Sequence, residues 1–176
     1  MLNLPPGFTL RRATPGDLSA FGEFSRQTFH ATYDAFHTAE QMTRHVGERL
    51  NDRNIAAELA DPACTVLALL QGSEWAGYAL LHGGEAPAGV DAAHPVEIER
   101  FYVGEAWHGR GLAAPLMAAA LDDARAQGHD AAWLSVWQRN AKAVRFYEKQ
   151  GFRVEGQIPY VFDGTPEDDY LMVRAL

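Results

Sequence analysis

Several features that point to particular protein classes are missing from this chain. Cys64 is its only cysteine, so the sequence excludes an intrachain disulfide and a metal cluster built from several cysteines. No run of about 18 apolar residues occurs, and the first residues lack a basic stretch followed by an apolar core. Because signals for membrane spanning and secretion are absent, we expect a cytoplasmic protein that does not act at a membrane.

Basic residues are also scarce. The chain has 15 Lys and Arg against 23 Asp and Glu, which gives a formal charge of -8 at pH 7. This balance disfavours nucleic acid as a partner, since nonspecific binding to nucleic acid relies on Lys and Arg meeting phosphates. Of the 7 histidines, His108 lies beside Gly109, and the other six show no spacing typical of metal ligands, so we expect no metal.

The length and the patterning of the chain predict one mixed domain. Its 176 residues, 47% hydrophobic and 22% charged, fit a single globular domain over residues 1–176. Apolar periodicity and turn residues predict strands at 9–12, 65–70, 75–82, 95–103, 131–137, 152–155 and 170–175. Helices are predicted after Asp17 and Thr38, at 53–59, from Leu112 to a C′ glycine at Gly128, and at 141–150. This order indicates an α/β class with a mixed (α+β) sheet and helices on its faces.

The most informative stretch is residues 98–113, where a strand leads through a glycine turn into a helix. Gly109 and Gly111 let the backbone approach a ligand closely, and Pro115 requires the helix to begin near Gly111. The first amides of that helix have no intrahelical partners, and the positive end of the helix dipole lies behind them. The turn therefore predicts a site for a phosphate or pyrophosphate.

Two well-known phosphate loops do not fit this turn. A P-loop needs four residues between its glycines, followed by Lys and Ser or Thr, whereas Leu112 and Ala113 follow Gly111. A dinucleotide-binding fold places its loop after an early strand and has a further glycine, which this chain lacks. The remaining candidate is an acyl-CoA site.

Three motifs at this separation make the acyl-CoA candidate specific. They are Ile98-x-x-Phe101-Tyr102-Val103, then His108-Gly109-Arg110-Gly111-Leu112-Ala113, then Asn140 followed by Tyr147 and Gly151-Phe152. With them, residues 97–156 resemble the core of the GNAT superfamily of acyl-CoA N-acyltransferases. The resemblance implies a central, mostly antiparallel sheet that splays at one parallel pair, with helices on both faces. It also implies acetyl-CoA as cosubstrate and a second copy of the chain as a candidate partner in a homodimer.

The resemblance implies cofactor-binding roles for the residues of these motifs. Backbone groups of the Phe101-Tyr102-Val103 segment would hold the thioester carbonyl and the pantetheine arm. The pyrophosphate would lie on the turn made by His108, Gly109, Arg110, Gly111, Leu112 and Ala113. Asn140 matches a residue that contacts the cofactor arm, although a helix-cap role is equally compatible with its position. The family's loop usually opens with Gln or Arg where this chain has His108, and backbone amides should preserve phosphate binding.

Acyl transfer to an amine needs an acid for the departing thiolate and a base for the amine. A tyrosine phenol, with a pKa near 10, is a suitable acid, and Tyr147 occupies the acid position in the resemblance. Glu99 and Glu97 alternate along the strand that ends at the thioester, and either could accept the proton. We rank Glu99 first because it lies nearer the predicted reaction centre.

Acceptor specificity is expected in two connections. One contains Tyr33, Asp34 and Phe36, and the other, residues 157–168, contains Tyr160, Phe162, Asp163, Glu167 and Asp168. Taken singly, each of these residues could instead belong to a solvated loop. Within the superfamily the chain looks most like the bacterial PaiA-type polyamine N-acetyltransferases, on Glu97 to Val103, Trp133 to Trp137 and Tyr160 to Asp169. That likeness implies spermidine or spermine as the small-molecule amine.

Two alternatives to a polyamine enzyme stay open at the level of the sequence. The first is a protein or peptide N-acetyltransferase, because such enzymes share much of the same pattern. The second is a non-catalytic module that binds acyl-CoA as a sensor or as an interaction domain. Retention of Tyr147 at the acid position favours the enzyme.

Overall fold

In residues 4–176, which the computed structural model describes, seven strands form one sheet in the order β1-β2-β3-β4-β5-β7-β6. The strands are β1 (Phe8–Arg12), β2 (Cys64–Gln71), β3 (Glu74–Gly83), β4 (Pro95–Val103), β5 (Ala131–Trp137), β6 (Arg153–Phe162) and β7 (Thr165–Ala175). The longer helices are α1 (Leu18–Tyr33), α2 (Ala39–Arg49), α3 (Asp52–Ala60), α4 (Ala113–Ala126) and α5 (Ala141–Lys149). No helix of this part of the chain is both long and apolar enough to cross a bilayer.

Strand pairing is antiparallel except between β4 and β5, which run parallel, as the sequence predicts. The parallel pairing is short and extends only from Pro95 opposite Ala131 to Glu97 opposite Trp133. Beyond Glu97 the two strands separate. The remainder of β4 therefore has a free edge on the side of β5, and this edge borders the site described below.

A β-bulge in β4 changes which side chains face each side of the sheet. Leu80 of β3 lies opposite Arg100, whereas the next residue, Leu81, lies opposite Ile98, so Glu99 is the extra residue. As a result, Ile98 and Phe101 both pack into the same core although they are three positions apart.

The sheet has a hydrophobic core on each face. One core joins the sheet to α4, with α5 packed at its margin through Val144, Phe146 and Tyr147. The other joins the sheet to α1 and α3 through Phe21, Phe24 and Ile55. The predicted mixed sheet with helices on both faces is therefore confirmed.

The start of α4 follows the prediction from Pro115. The helix begins at Ala113, so Pro115 lies in its first turn, where no intrahelical hydrogen bond is lost. Gly109 and Gly111 have φ of +76° and +73°, a conformation that L-residues adopt only with strain. Gly128 has φ of +87° directly after the last turn, as expected of a C′ glycine.

The prediction of a connection at residues 157–168 is wrong, because these residues continue β6 and β7 as one long hairpin. The hairpin turns at Asp163 and Gly164, with φ of +46° and +79°, the Asp-Gly combination that favours a two-residue turn. Pro159 lies within β6. It is tolerated because β6 lies at the edge of the sheet, where a missing N–H leaves no partner unsatisfied.

Candidate active site

A cleft of about 1190 Å³ opens where β4 and β5 separate. One end is lined by the turn before α4, and its walls come from β4, β5 and α5. The other end is lined by α1, α2, α3 and the β6–β7 hairpin. In the described chain, the predicted cofactor-binding residues other than Arg110 and part of the predicted acceptor-binding group therefore line one cavity.

The turn at the first end offers backbone amides to a ligand. A Cβ added to Gly109 or Gly111 would meet no atom of residues 4–176 within 4 Å, so these residues leave the space over the turn open. Leu112 is the N-cap residue of α4, and its side chain makes no hydrogen bond to the helix. Its carbonyl accepts a hydrogen bond from the N–H of Leu116 at 3.1 Å. The N–H groups of Ala113 and Ala114 precede this first intrahelical hydrogen bond, and both residues line the cleft, which suits an anion.

The free edge of β4 presents the backbone groups of alternate residues. Gly104 donates its N–H to the Ala76 carbonyl of β3 at 3.0 Å. The backbone N–H and C=O groups of successive strand residues point alternately to the two sides of the strand. The backbone groups of Val103 and Phe101 therefore point away from β3, toward the gap between β4 and β5. The Val103 carbonyl accepts a hydrogen bond from His108 Nε2 at 2.8 Å. His108 therefore ties the turn to the end of β4.

Asn140 lies where α5 begins and also lines the cleft. Its side-chain oxygen accepts a hydrogen bond from the Ala143 N–H at 3.1 Å, so the helix-cap role is present. The amide nitrogen of the same side chain remains a donor. The two roles considered for Asn140 are thus compatible.

Tyr147 of α5 is half-buried in the wall of the cleft. Its ring packs edge-on against Phe101 and Phe152, with centroids 6.3 and 6.0 Å apart. Burial, and to a smaller degree the nearby Tyr33, raises the pKa of the Tyr147 phenol above its ordinary value. The phenol therefore stays protonated across the physiological pH range.

The two candidate carboxylates of β4 have different surroundings, although both line the cleft. Burial, and secondly the charge of Glu99, raises the pKa of Glu97 to about 7. The Glu99 side chain is 39% exposed, and its carboxylate lies 3.6 Å from Nδ1 of His82. Glu97 is thus the more enclosed of the two and can exchange a proton near neutral pH.

The far end of the cleft is aromatic and acidic. Tyr33, Trp137, Tyr160 and Phe162 line it together with the carboxylates of Glu167 and Asp169. Asp169 is only 7% exposed, and one of its oxygens, Oδ1, has no hydrogen-bond partner in residues 4–176. Burial, opposed by a hydrogen bond from Ser135, raises the pKa of Asp169 to about 6. An unpaired buried carboxylate beside aromatic faces is suited to a cationic ligand.

Four of the predicted acceptor residues lie elsewhere. In the part of the chain that the structure describes, the cleft lining does not include Asp34, Phe36, Asp163 or Asp168. Asp34 is exposed after α1 with its carboxylate 2.8 Å from His30, and Asp163, at the hairpin turn, accepts two hydrogen bonds from Arg44 at 2.5 and 2.9 Å. Asp169 was missed because the predicted connection ended at Asp168. Alternation along β7 places Asp169 on the same side as the buried Leu171.

Sequence reasoning also missed a buried ion pair at the acceptor end. Arg100 of β4 pairs with Glu58 of α3, and both line the cleft. Burial raises the pKa of Glu58, and the Arg100 charge opposes that rise. The pair links α3 to the sheet beside the cleft. The bulge at Glu99 turns Arg100 to the face of the sheet that packs against α1 and α3. This bulge has no clear signal in the sequence.

Comparison with known proteins identifies the family. A sequence model of the Acetyltransferase (GNAT) family matches residues 26–152. An uncharacterized N-acetyltransferase of Mycobacterium tuberculosis is 34% identical over 137 residues, 78% of this chain and 83% of that protein. An uncharacterized N-acetyltransferase encoded in the pepI 3′ region of Lactobacillus delbrueckii subsp. lactis is 28% identical over 170 residues, 97% of this chain and 98% of that protein.

Solved structures share the fold at lower identity. The PaiA N-acetyltransferase of Thermoplasma acidophilum, in complex with coenzyme A, is similar with a TM-score of 0.78 and 20% identity, covering 96% of this chain and 99% of that one. Arabidopsis thaliana NAA60 in complex with acetyl-CoA gives a TM-score of 0.71 and 16% identity, covering 96% and 98%. At such identities these structures establish the fold.

Proposed function

The chain belongs to the acetyltransferase (GNAT) family, with acetyl-CoA as its cosubstrate, and we propose that it acetylates a primary amine of a small polycationic molecule, a polyamine. The choice of a polyamine as acceptor rests on the surroundings of Asp169. Its carboxylate is buried, lacks a partner on one oxygen among the residues that the structure describes, and lies beside aromatic side chains in the cleft. A neutral acceptor would leave this oxygen unpaired, whereas an ammonium group would satisfy it.

In this proposal acetyl-CoA binds between the turn and the free edge of β4. The amides around Gly109 and Gly111 hold the pyrophosphate, and the dipole of α4 adds to the attraction. The pantetheine arm extends β4 as an added strand, using the backbone groups of Phe101 and the N–H of Val103, whose carbonyl accepts the hydrogen bond from His108. A backbone N–H at this edge polarises the thioester carbonyl.

Glu97 is the base in the proposed reaction, in place of Glu99, which ranked first on sequence position. The more enclosed position of Glu97, at the point where β4 and β5 part, supports this order. The amine nitrogen attacks the thioester carbon and forms the C–N bond, and Glu97 takes a proton from that nitrogen. The C–S bond then breaks, and the Tyr147 phenol gives a proton to the departing thiolate. No covalent adduct with the protein is formed.

The acceptor extends from the thioester toward the acidic end of the cleft. Asp169 and Glu167 attract its distal ammonium group, and the aromatic side chains of Tyr33 and Trp137 pack along its methylene chain and charge. A structural neighbour named as a PaiA N-acetyltransferase is consistent with such an acceptor.

The test is turnover with a broad panel of amines. Purified protein and acetyl-CoA are mixed with diamines and polyamines, matched monoamines, amino acids, aminoglycosides and peptides with free N-termini, and thiol release is measured. We expect diamines and polyamines to give the highest kcat/KM. Asp169→Asn should lower kcat/KM for diamines at least tenfold, while Asp168→Asn, which removes the same charge from an exposed neighbour, should change it little.

Two outcomes would contradict the proposal. If peptides are the best acceptors, the chain is a peptide N-acetyltransferase. If acetyl-CoA binds but no amine releases thiol, the chain is a non-catalytic acyl-CoA-binding module.

A further inference from the structure

Outside the cleft, three side chains that commonly bind metals come together at the ends of α3, β2 and β3. They are Asp61, Cys64 and His82, and one ligand atom from each lies within 4.8 Å of the others. None of the three lines the cleft in the described structure. We propose that they form a binding site for a zinc ion, separate from the acetyl-transfer chemistry.

Local hydrogen bonds hold two of the three residues in a tight turn. The Cys64 N–H donates to the Asp61 carbonyl at 3.0 Å, and the Ala63 N–H donates to Asp61 Oδ1 at 2.8 Å. Two residues separate Asp61 from Cys64, the shortest spacing that pairs of ligands in structural zinc sites use. This turn therefore presents a carboxylate and a thiol to the same region of space.

Strand pairing brings the third residue to the turn. His82 of β3 is the direct cross-strand partner of Cys64 in β2, so both side chains project from the same face of the sheet. The Gly83 N–H donates to the Ala63 carbonyl at 2.9 Å and fixes the turn against β3. The three positions are thus set by backbone hydrogen bonds before any ion binds.

The chemistry of the donors selects the metal. A thiolate, an imidazole nitrogen and a carboxylate oxygen form a set that suits zinc, with ligand distances of about 2.0 to 2.3 Å. Three protein ligands leave the fourth tetrahedral position to water. Glu99, whose carboxylate is 3.6 Å from His82 Nδ1, can orient the imidazole, as carboxylates do beside metal-binding histidines.

Sequence reasoning predicted no metal because it searched for ligand spacing along the chain. Cys64 and His82 are neighbours through the β2–β3 hairpin, and no local motif joins them. Binding would link the end of α3 to the sheet, so zinc should stabilise the folded protein.

The probe is Co²⁺, which reports a thiolate ligand by a charge-transfer band in the near ultraviolet. Full-length protein, treated with a chelator and kept reduced with a phosphine, is titrated with Co²⁺ and then with Zn²⁺. We expect one equivalent of Co²⁺ to produce the thiolate band, Zn²⁺ to remove it, and Zn²⁺ to raise Tm.

Variants separate this site from chance binding. Cys64→Ser should abolish the band, and His82→Gln should weaken Co²⁺ binding at least tenfold. His30→Gln at a half-exposed position and Asp91→Asn at an exposed position, both outside the group, should leave both readouts unchanged. Variants must keep the metal-free Tm of the parent within about 2 °C, so that loss of binding is not loss of fold. No thiolate band, or a band that persists in His82→Gln at full affinity, would overturn the site. Neither result depends on acetyl transfer.

Discussion

Replacing Asp169 by Asn should stabilise the protein at alkaline pH while it weakens the acceptor site. Asp169 is buried, and its pKa is raised from 3.8 to about 6, mainly by burial. The folded state therefore binds a proton at this carboxyl more tightly than the unfolded state does. The stability that the protonated group contributes is fully present below about pH 4 and is lost as the pH rises through 6.

The size of the effect follows from the two pKa values. The difference between 3.8 and about 6 corresponds to about 3 kcal/mol of stability lost above both values. Because the group borders an open cleft, we expect Asp169→Asn to raise the free energy of unfolding by about 1–3 kcal/mol at pH 8. The oxygen of Asn can still accept the hydrogen bond from Ser135.

Urea unfolding at pH 4 and pH 8 measures this difference, with Asp168→Asn as the control. The stabilisation should be present at pH 8 and should shrink toward zero at pH 4, while the control should show little change at either pH. An Asp169→Asn protein that is less stable than the parent at pH 8, or equally stabilised at both pH values, would refute the reasoning. The lower kcat/KM for diamines expected of the same variant would then need another explanation.

Three further predictions concern the reaction and the cofactor site. Tyr147→Phe should keep the Kd for acetyl-CoA and lower kcat about 100-fold or more, measured by calorimetry and thiol release; unchanged kcat would exclude the phenol as the main acid. Glu97→Gln should lower kcat more than Glu99→Gln does, and the reverse order would restore Glu99 as the base. Gly111→Ala should cost about 1–2 kcal/mol through its positive φ and raise the Kd for acetyl-CoA, whereas Gly47→Ala, in α2, should not raise it. Equal Kd values in both glycine variants would contradict the role given to the turn.

The sequence predicts the elements whose signals are local. Pro115 and the two glycines before it locate the start of α4, and Gly128 marks its end, because each residue restricts its own backbone conformation. The parallel pair of β4 and β5 follows from the helix between them, since parallel strands need a long crossover. The cofactor end of the cleft is built from these same elements, so its residues are recognisable along the chain.

The acceptor end of the cleft depends on features that are set by the pairing of strands. A proline such as Pro159 disfavours the interior of a sheet and is harmless only at an edge, and the local sequence does not reveal that β6 lies at the edge. Asp169 faces the cleft because side chains alternate between the two faces of β7, which puts Asp169 on the same face as the buried Leu171 two positions later. The bulge at Glu99 and the approach of Cys64 to His82 likewise arise between strands, where a single sequence carries no direct signal.

The most direct measurement of the central claim follows the acetyl group itself. The protein is incubated with acetyl-CoA that carries an isotopic label in the acetyl carbons, first without and then with a diamine acceptor, and both protein and amine are analysed by mass spectrometry. We predict an unlabelled protein in both samples and one labelled amide per thiol released in the second. A labelled protein that transfers its acetyl group to the amine, or thiol release without a labelled amide, would contradict direct transfer in this cleft.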